Sequence, residues 1–433
     1  MDSTTAGGSL FEVHLTDLGP DYSLVIPRTF GASPERIERI AAHVDTFDNA
    51  SIDRILAETR YRFAGRHRDL DYLLEERAAL VESHVPFVRG WTKHRRALLG
   101  SCFLMEYSIA AAALFNPSIC AHFDQDGLAP GTRRVIVSLR AVGEGHISSI
   151  LFRPGVVAVD GSVEIGRPAV PLSTGRVRGD PDSGSYEVHF DEDVPLGGRV
   201  LFPTSADESA GIEDVRLVRF EEETLDQRGQ PPAAGRYFAT ATGYDGHRPV
   251  PKMFETDDFR TFRILALGGS CAANKDMSLF PRKIEGRYAM IGRQDGQRMS
   301  IMFSDSIERW ENCTLLREPH FDWEIMQIGG CGSPIETPEG WLLPMHGVGP
   351  FRRYSIGFYL LDLHDPARVR AVSPTPALEP RDDERDGYVP NVVYSCGAML
   401  HGSHLVMPHA VNDTAIRIAV GDVRRIVDSL VTV

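Results

Sequence analysis

The sequence predicts a mainly β fold, a five-bladed β-propeller with an N-terminal α-helical extension. Three observations predict it. A phrase of strand, polar turn and strand recurs five times at a spacing of roughly 50 residues, the mark of a propeller with one sheet per repeat. From about residue 115 to 423, Gly, Pro and alternating β-branched or aromatic residues dominate. The stretch before that, 34–114, carries helical apolar spacing instead. The chain therefore divides into an N-terminal segment and helical region over 1–114, packed on a propeller over 115–433.

Residues 1–30 are mixed, with one short apolar alternation over 11–15. Ser33 is placed to cap a helix and Pro34 to occupy its first position, so a helix over 34–43 is expected. Ile52, Ile55, Leu56 and Tyr61 space a second helix over 51–63. Leu73, Leu74, Ala78 and Val81 space a third over 70–85. An Ala-rich apolar run predicts a fourth over 105–114. Helical texture stops at Phe115-Asn116-Pro117. The five repeats read RRVIVSLRAVGEGHISSILFR (133–153), GRYFATATGYDGHRPVPKMFETDDF (235–259), GRYAMIGRQDGQRMSIMFSDSIERW (286–310), GWLLPMHGVGPFRRYSIGFYLLDLHDP (340–366) and SHLVMPHAVNDTAIRIAVGDV (403–423). Between the first two, 154–210 is the least regular part and reads as a divergent blade plus a long loop. The tail, 423–433, reads as a short closing helix or strand. In each repeat the first strand ends on a polar group: Arg140, Tyr244, Arg293, His346, and Asn412 with Asp413. Equivalent repeats would bring those ends to one mouth and make a polar pocket there.

The chain of 433 residues is long enough for one large core or two domains. Its net charge of -14 argues against a general nucleic-acid surface but not against a local basic pocket. No apolar run approaches the roughly 18 residues that span a membrane. The opening MDSTTAGGSLFEVHL lacks a basic start and an apolar signal core, so a cytoplasmic protein with no membrane partner is expected. The cysteines (Cys102, Cys120, Cys271, Cys313, Cys331, Cys396) are scattered with no CxxC pair. They read as free thiols rather than a zinc site or a disulfide framework.

There is no nucleophile elbow, P-loop or dinucleotide fingerprint. The Gly-rich run 328–334 has no helix after it, so it reads as close backbone approach rather than a phosphate cradle. The densest polar turn is 140–148. There Glu144, flanked by glycines near Arg140 and His146, suits a positioned general acid; the bland alternative is a solvated turn with a surface ion pair. Glu213 and Asp214 before Arg216 form either a ligand clamp or a structural salt bridge. Lys275, Lys283, Arg293, His346 and the pair Arg352-Arg353 fall at comparable places in two successive repeats, where cations could bind a phosphate or a carboxylate. Asp413 either grips sugar hydroxyls or serves its turn. Trp310, Trp323, Trp341, Tyr354 and Tyr394 are candidates to stack on sugar rings, though most aromatics belong to cores.

Phe115-Asn116-Pro117, the EDxR of 213–216, LFPRKIEGRY, GCGSPIETPEGWLLPMHGV, LLDLHDP and GYVPNVVYSCG together resemble glycoside hydrolase family 130, the β-mannoside phosphorylases and related β-mannosidases. The resemblance covers about 115–425 in the family's order; the helical region resembles an extension found in some members. It implies a five-bladed propeller and inversion at β-linked mannosides. It also implies no metal or organic cofactor, inorganic phosphate as co-substrate, and a small oligosaccharide or glycoside as substrate. A homo-oligomer, where one forms, would form through the N-terminal helices. In the family, a catalytic Asp follows an Arg in the turn matched here by 140–148; in this chain Glu144 is the only carboxylate of that turn, with Asp214 the next candidate for catalysis. The resemblance places the sugar against Asn116, Arg140, His146, Ser148, Glu213, Arg216, Tyr244, Tyr354, Asn391 and Asp413, and phosphate against Lys283, Arg293, His346 and Arg353. Two alternatives use the same pocket: an inverting β-mannosidase with Glu213 or Glu324 as base, and a catalytically inactive sugar-binding propeller.

Overall fold

The computed structural model describes residues 9–221 and 235–433, so the polar start of the opening stretch, 1–8, lies outside the described residues. Helices gather near the N-terminus and strands occupy most of the rest. Helix α1 (Pro34–Asp45) starts as expected, with the Ser33 side chain accepting from the Arg36 N–H. Asp48 caps α2 (Asn49–Phe63) in the same way. Helix α3 covers Leu70–Glu82, and α4 (Lys93–Ser101) is capped by Thr92. Ile37, Ala41, Val44, Ile52, Val81, Leu98 and Leu99 close a core between these helices. Burying a side chain of this kind stabilises by roughly 1.5–3 kcal/mol, more than the helix propensities alone supply.

The expected fourth helix over 105–114 is corrected. Leu104–Ala110 is a strand paired antiparallel with Asp21–Thr29, and the fourth helix lies before it, at α4. The Ala-rich composition hides a period of two. Tyr107 and Ile109 are buried, while Glu106 and Ser108 keep some exposure. Packing on a sheet has overridden helix propensity. This two-stranded ribbon joins the helices to the β region, since Leu24, Ile26, Tyr107 and Ile109 share one core with Val137, Leu139, Leu151 and Ile418.

The remaining strands pair almost wholly antiparallel. A four-stranded sheet runs in sequence order through Lys275–Leu279, Tyr288–Arg293, Met299–Ser304 and Cys313–Arg317. A six-stranded sheet is centred on Gly340–Gly349 and Arg353–Leu361 and takes in the C-terminal Val431–Thr432. A five-stranded sheet is centred on His404–Val411 and Ala415–Asp422 and takes in Glu12–Leu15 from the N-terminus. An eleven-stranded sheet uses strands between Ala113 and Ala266; Ser148–Val157 meets Gly211–Phe220 in it through a single residue pair, Gly211 with Ser148. The irregular stretch 154–210 holds only short strands, of which Ser185–His189 adds to the sheet through Thr261–Ala266. The tail is both a helix, α5 (Val423–Asp428), and a strand. Among the described residues, no helix is long and apolar enough to cross a membrane.

Candidate active site

Three strands carry the same irregularity. The ladder register slips between Phe115 and Ser118, between Glu213 and Arg216, and between Lys275 and Ser278. Inside each slip one residue takes a left-handed backbone: Asn116 (φ 46), Asp214 (φ 54) and Asp276 (φ 67). Asn and Asp are the ordinary side chains that tolerate this conformation best. A bulge turns a side chain out of the ladder and aims it elsewhere. Here all three are aimed into one cavity of about 140 Å³.

The cavity is lined by these three residues together with the strand ends Arg140, Arg293, His346 and Asp413. Lys275, Arg352, Tyr354 and Tyr394 complete its polar wall. Arg140 grips the second bulge: one guanidinium nitrogen donates to Glu213 (2.7 Å), another to Asp214 (3.2 Å), and its Nε donates to the Ser148 hydroxyl (2.9 Å). The Asn116 amide donates to Asp214 (2.7 Å), and the Lys275 ammonium donates to Glu213 (2.6 Å). Deeper in, Asp276 accepts from Arg216 (2.9 Å) and from the Tyr394 hydroxyl (3.0 Å), and lies 2.8 Å from the Arg293 Nε.

These contacts set the charges. Burial pushes the Asp276 carboxyl up, but Arg293 and Arg216 outweigh it and hold the group at about 2. Burial likewise opposes ionisation of Asp214, and Arg140, Arg216 and Lys275 overcome it, so its pKa is lowered. His346 is stacked on Tyr354 with ring centroids 5.5 Å apart; burial lowers its imidazole to about 4, so it is neutral at physiological pH. Asp413 goes the other way. Burial, reinforced by the neighbouring Asp214 and Glu213, exceeds the pull of Arg140 and Arg352 and raises it to about 7. The site therefore has a carboxyl that still holds a proton near neutrality. It is also cationic: Arg140, Arg216, Lys275, Arg293 and Arg352 outnumber the paired carboxylates of Glu213, Asp214 and Asp276.

Of the residues singled out in the sequence, Asn116, Arg140, Asp214, Lys275, Arg293, His346, Arg352, Tyr354, Tyr394 and Asp413 line the cavity. Ser148, Glu213 and Arg216 hold lining residues from behind, and the Tyr244 ring sits 5.3 Å beneath the Lys275 ammonium. His146 is outside the lining and is hydrogen-bonded to the Tyr388 hydroxyl. Five of the predicted catalytic and binding residues are not brought in. Glu144 is exposed, and its backbone carbonyl accepts from Tyr107. The Lys283 ammonium lies 4.6 Å over the Tyr288 ring. Arg353 pairs with Glu379, and Asn391 contributes a backbone carbonyl to the Tyr354 N–H. Glu324 is fully buried and bonds Tyr359, away from the cavity. Sequence reasoning passed over Asp276. The available signal was its place between Lys275 and Ser278, matching Asp214 between Glu213 and Arg216.

A family model described as beta-1,4-mannooligosaccharide phosphorylase matches residues 196–432. The 1,2-beta-oligomannan phosphorylase of a Thermoanaerobacter species is 38% identical over 155 residues, 35% of this chain and 52% of that protein. A beta-1,2-mannobiose phosphorylase of the same organism is 32% identical over 225 residues, 51% of this chain and 70% of that protein. The chain thus spans about half the length of the first relative and somewhat more of the second. The solved structure of the beta-1,2-mannobiose phosphorylase from Listeria innocua with beta-1,2-mannobiose superposes with a TM-score of 0.53 at 19% identity, covering 75% of this chain and 92% of that one. At that identity the likeness concerns the fold alone.

Proposed function

The chain belongs to glycoside hydrolase family 130, and from that premise we propose that it cleaves β-mannosides with inversion, by phosphorolysis to mannose 1-phosphate. The observation that carries the reading is the charge of the cavity. Its cations exceed its ionised carboxylates, which suits a bound anion, and Arg293, Lys275 and Arg352 are the groups that would hold phosphate, with neutral His346 as a hydrogen-bond partner. A carboxylate held at about 2 by guanidinium groups is a poor base for activating water, which leaves Asp276 unsuited to that task. Asn116, Arg140 and Asp214 would hold the sugar ring.

Asp413 is the proton donor this geometry favours, because it alone among the lining carboxyls keeps its proton near neutral pH. In the step proposed, a phosphate oxygen attacks the anomeric carbon. The bond to the glycosidic oxygen breaks, and the Asp413 proton passes to that oxygen directly or through a sugar hydroxyl. Mannose 1-phosphate and the shortened sugar leave, with no cofactor beyond the co-substrate phosphate. Glu144 could serve only if its turn moved inward.

The fold behind the site reads as a five-bladed propeller over 115–433, with 1–114 packed on it. Two observations support this. The single-pair contact between Ser148 and Gly211 divides the eleven-stranded sheet into two. The strands nearest the cavity would then be Ala113–Ala121, Gly211–Phe220, Lys275–Leu279, Gln327–Gly330 and Val393–Tyr394, one from each of five sheets. The test of function is incubation of β-linked mannobioses with and without phosphate. Mannose 1-phosphate should form only with phosphate; release of free mannose without it would overturn phosphorolysis.

A further inference from the structure

The cavity of about 140 Å³ has room for one sugar ring rather than two, so a disaccharide must leave its second ring at the rim. Tyr388 lies beside the lining residues Asn116 and Asp413: its ring is 6.3 Å from that of Phe115, and its N–H donates to the Thr414 hydroxyl. Tyr388 belongs to 374–391, a long stretch that joins two sheets without a strand or helix of its own. Stretches of this kind are most often functional or disordered, and this one is tied down. The Asn412 amide donates to the Glu384 and Asp386 carbonyls, the Val389 N–H to the Asn412 carbonyl, and the Tyr388 N–H to the Thr414 hydroxyl (2.7 Å). Each tie anchors the stretch to the turn that carries Asp413.

The Tyr388 ring is fixed as well. Its hydroxyl is hydrogen-bonded to His146 Nδ1, and the two rings lie 5.7 Å apart at 35°. His146 reaches it from a left-handed backbone, φ 61, a conformation few non-glycine residues adopt without a compensating role. Phe115 stands behind at 6.3 Å, itself under the Arg140 guanidinium at 4.9 Å. Yet Tyr388 is 40% exposed, so this immobilised aromatic surface is not buried in the core. A rigid, half-open aromatic face beside a polar sugar-sized hole offers stacking area at little entropic cost.

We propose that Tyr388, positioned by His146, is the stacking platform for the sugar beyond the scissile bond, and so selects oligosaccharides over simple mannosides. The inference rests on the reading of the cavity as a mannoside site. It is tested by calorimetric binding of methyl β-mannoside and of β-mannobiose to the wild type, Tyr388→Ala and Tyr388→Phe. The wild type should bind the disaccharide more tightly. Tyr388→Ala should lose about three- to tenfold of that affinity, the scale of one aromatic stacking contact, with methyl mannoside unchanged. Tyr388→Phe, which keeps the ring and loses the hydroxyl, should retain most of it. An unchanged preference in Tyr388→Ala, an equal loss for both sugars, or no preference in the wild type would overturn the proposal. Because binding needs no turnover, a wild type that binds mannobiose but forms no mannose 1-phosphate would count against the reaction alone. A wild type that binds neither sugar would overturn both.

Discussion

Asp413 sits at about 7 because burial disfavours its charged form, and because ionising it would place a third carboxylate beside Asp214 and Glu213. A carboxyl whose folded pKa lies above its unfolded value favours the folded state most when protonated. Between about pH 4 and pH 7 the folded chain keeps a proton that the unfolded chain has released, so this group makes stability fall as pH rises through that window. The limit is about 1.4 kcal/mol per pH unit, and residual solvent exposure keeps the real slope below it. Asp413→Asn should flatten that part of the stability curve, measured as urea midpoints from pH 4 to pH 8, and should also lower turnover by about 10²–10⁴-fold if the proton is used in catalysis. An unaltered pH slope would mean that Asp413 is ionised throughout. Arg140, Arg293, His346 and Asp413 were legible in the sequence because each ends a strand of a repeated phrase. Glu144 drew attention as a carboxylate between glycines, but sequence spacing says nothing about which way a turn's side chain points. Here the turn presents it to solvent.

At the scale of single elements, the bulges decide which side chains enter the site. A bulge inserts one residue and flips the phase of the alternation beyond it, and in strands buried on both faces, as these are, that flip leaves little mark in the hydrophobic pattern. Asp276 was hidden for that reason. The strand Gln327–Gly330 has glycine where its neighbours bring carboxylates near. A Cβ on Gly329 would lie 2.5 Å from Asp276 Oδ2 and 2.6 Å from His346 Cε1, whereas one on Gly330 would meet nothing closer than the Ser278 hydroxyl at 3.4 Å. The Gly-rich run was rightly legible as close approach, but the groups it approaches were not. Gly329→Ala should cost about 1–3 kcal/mol by overpacking, and should reduce turnover by about 10²-fold through displacement of Asp276 and His346. Gly330→Ala is the matched control and should change neither by more than a small factor. Equal behaviour of the two variants, in thermal melts and in rate, would remove Gly329 from the architecture of the site. The misread helix over 105–114 has the same origin: partners lying far along the chain decide whether an Ala-rich run becomes a helix or a strand.

At the scale of the whole molecule, the apolar alternation over 11–15 was visible, but neither the strand it forms nor its partner was. Glu12–Leu15 pairs with Ala415–Asp422, some four hundred residues away, and the Thr16 hydroxyl donates to the Ile416 carbonyl. Phe11 is 5% exposed, stacks on Phe358 with ring centroids 6.0 Å apart, and fills the space left open by Gly421. The N-terminal segment thus covers the edge of the hairpin whose tip carries Asn412 and Asp413. Burial of Phe11 alone is worth roughly 1.5–3 kcal/mol, and removing the strand would also bare a row of backbone donors and acceptors on a sheet edge. Deletion of residues 1–16 is therefore expected to lower stability by about 3 kcal/mol or more, to promote self-association, and to weaken substrate binding through the loosened Asp413 turn. Phe11→Ala, which keeps the strand, should lose part of the stability without the association. Thermal melts combined with light scattering distinguish the two. A deletion variant that melts like the full chain and stays monodisperse would show that the last sheet is held together without its N-terminal strand.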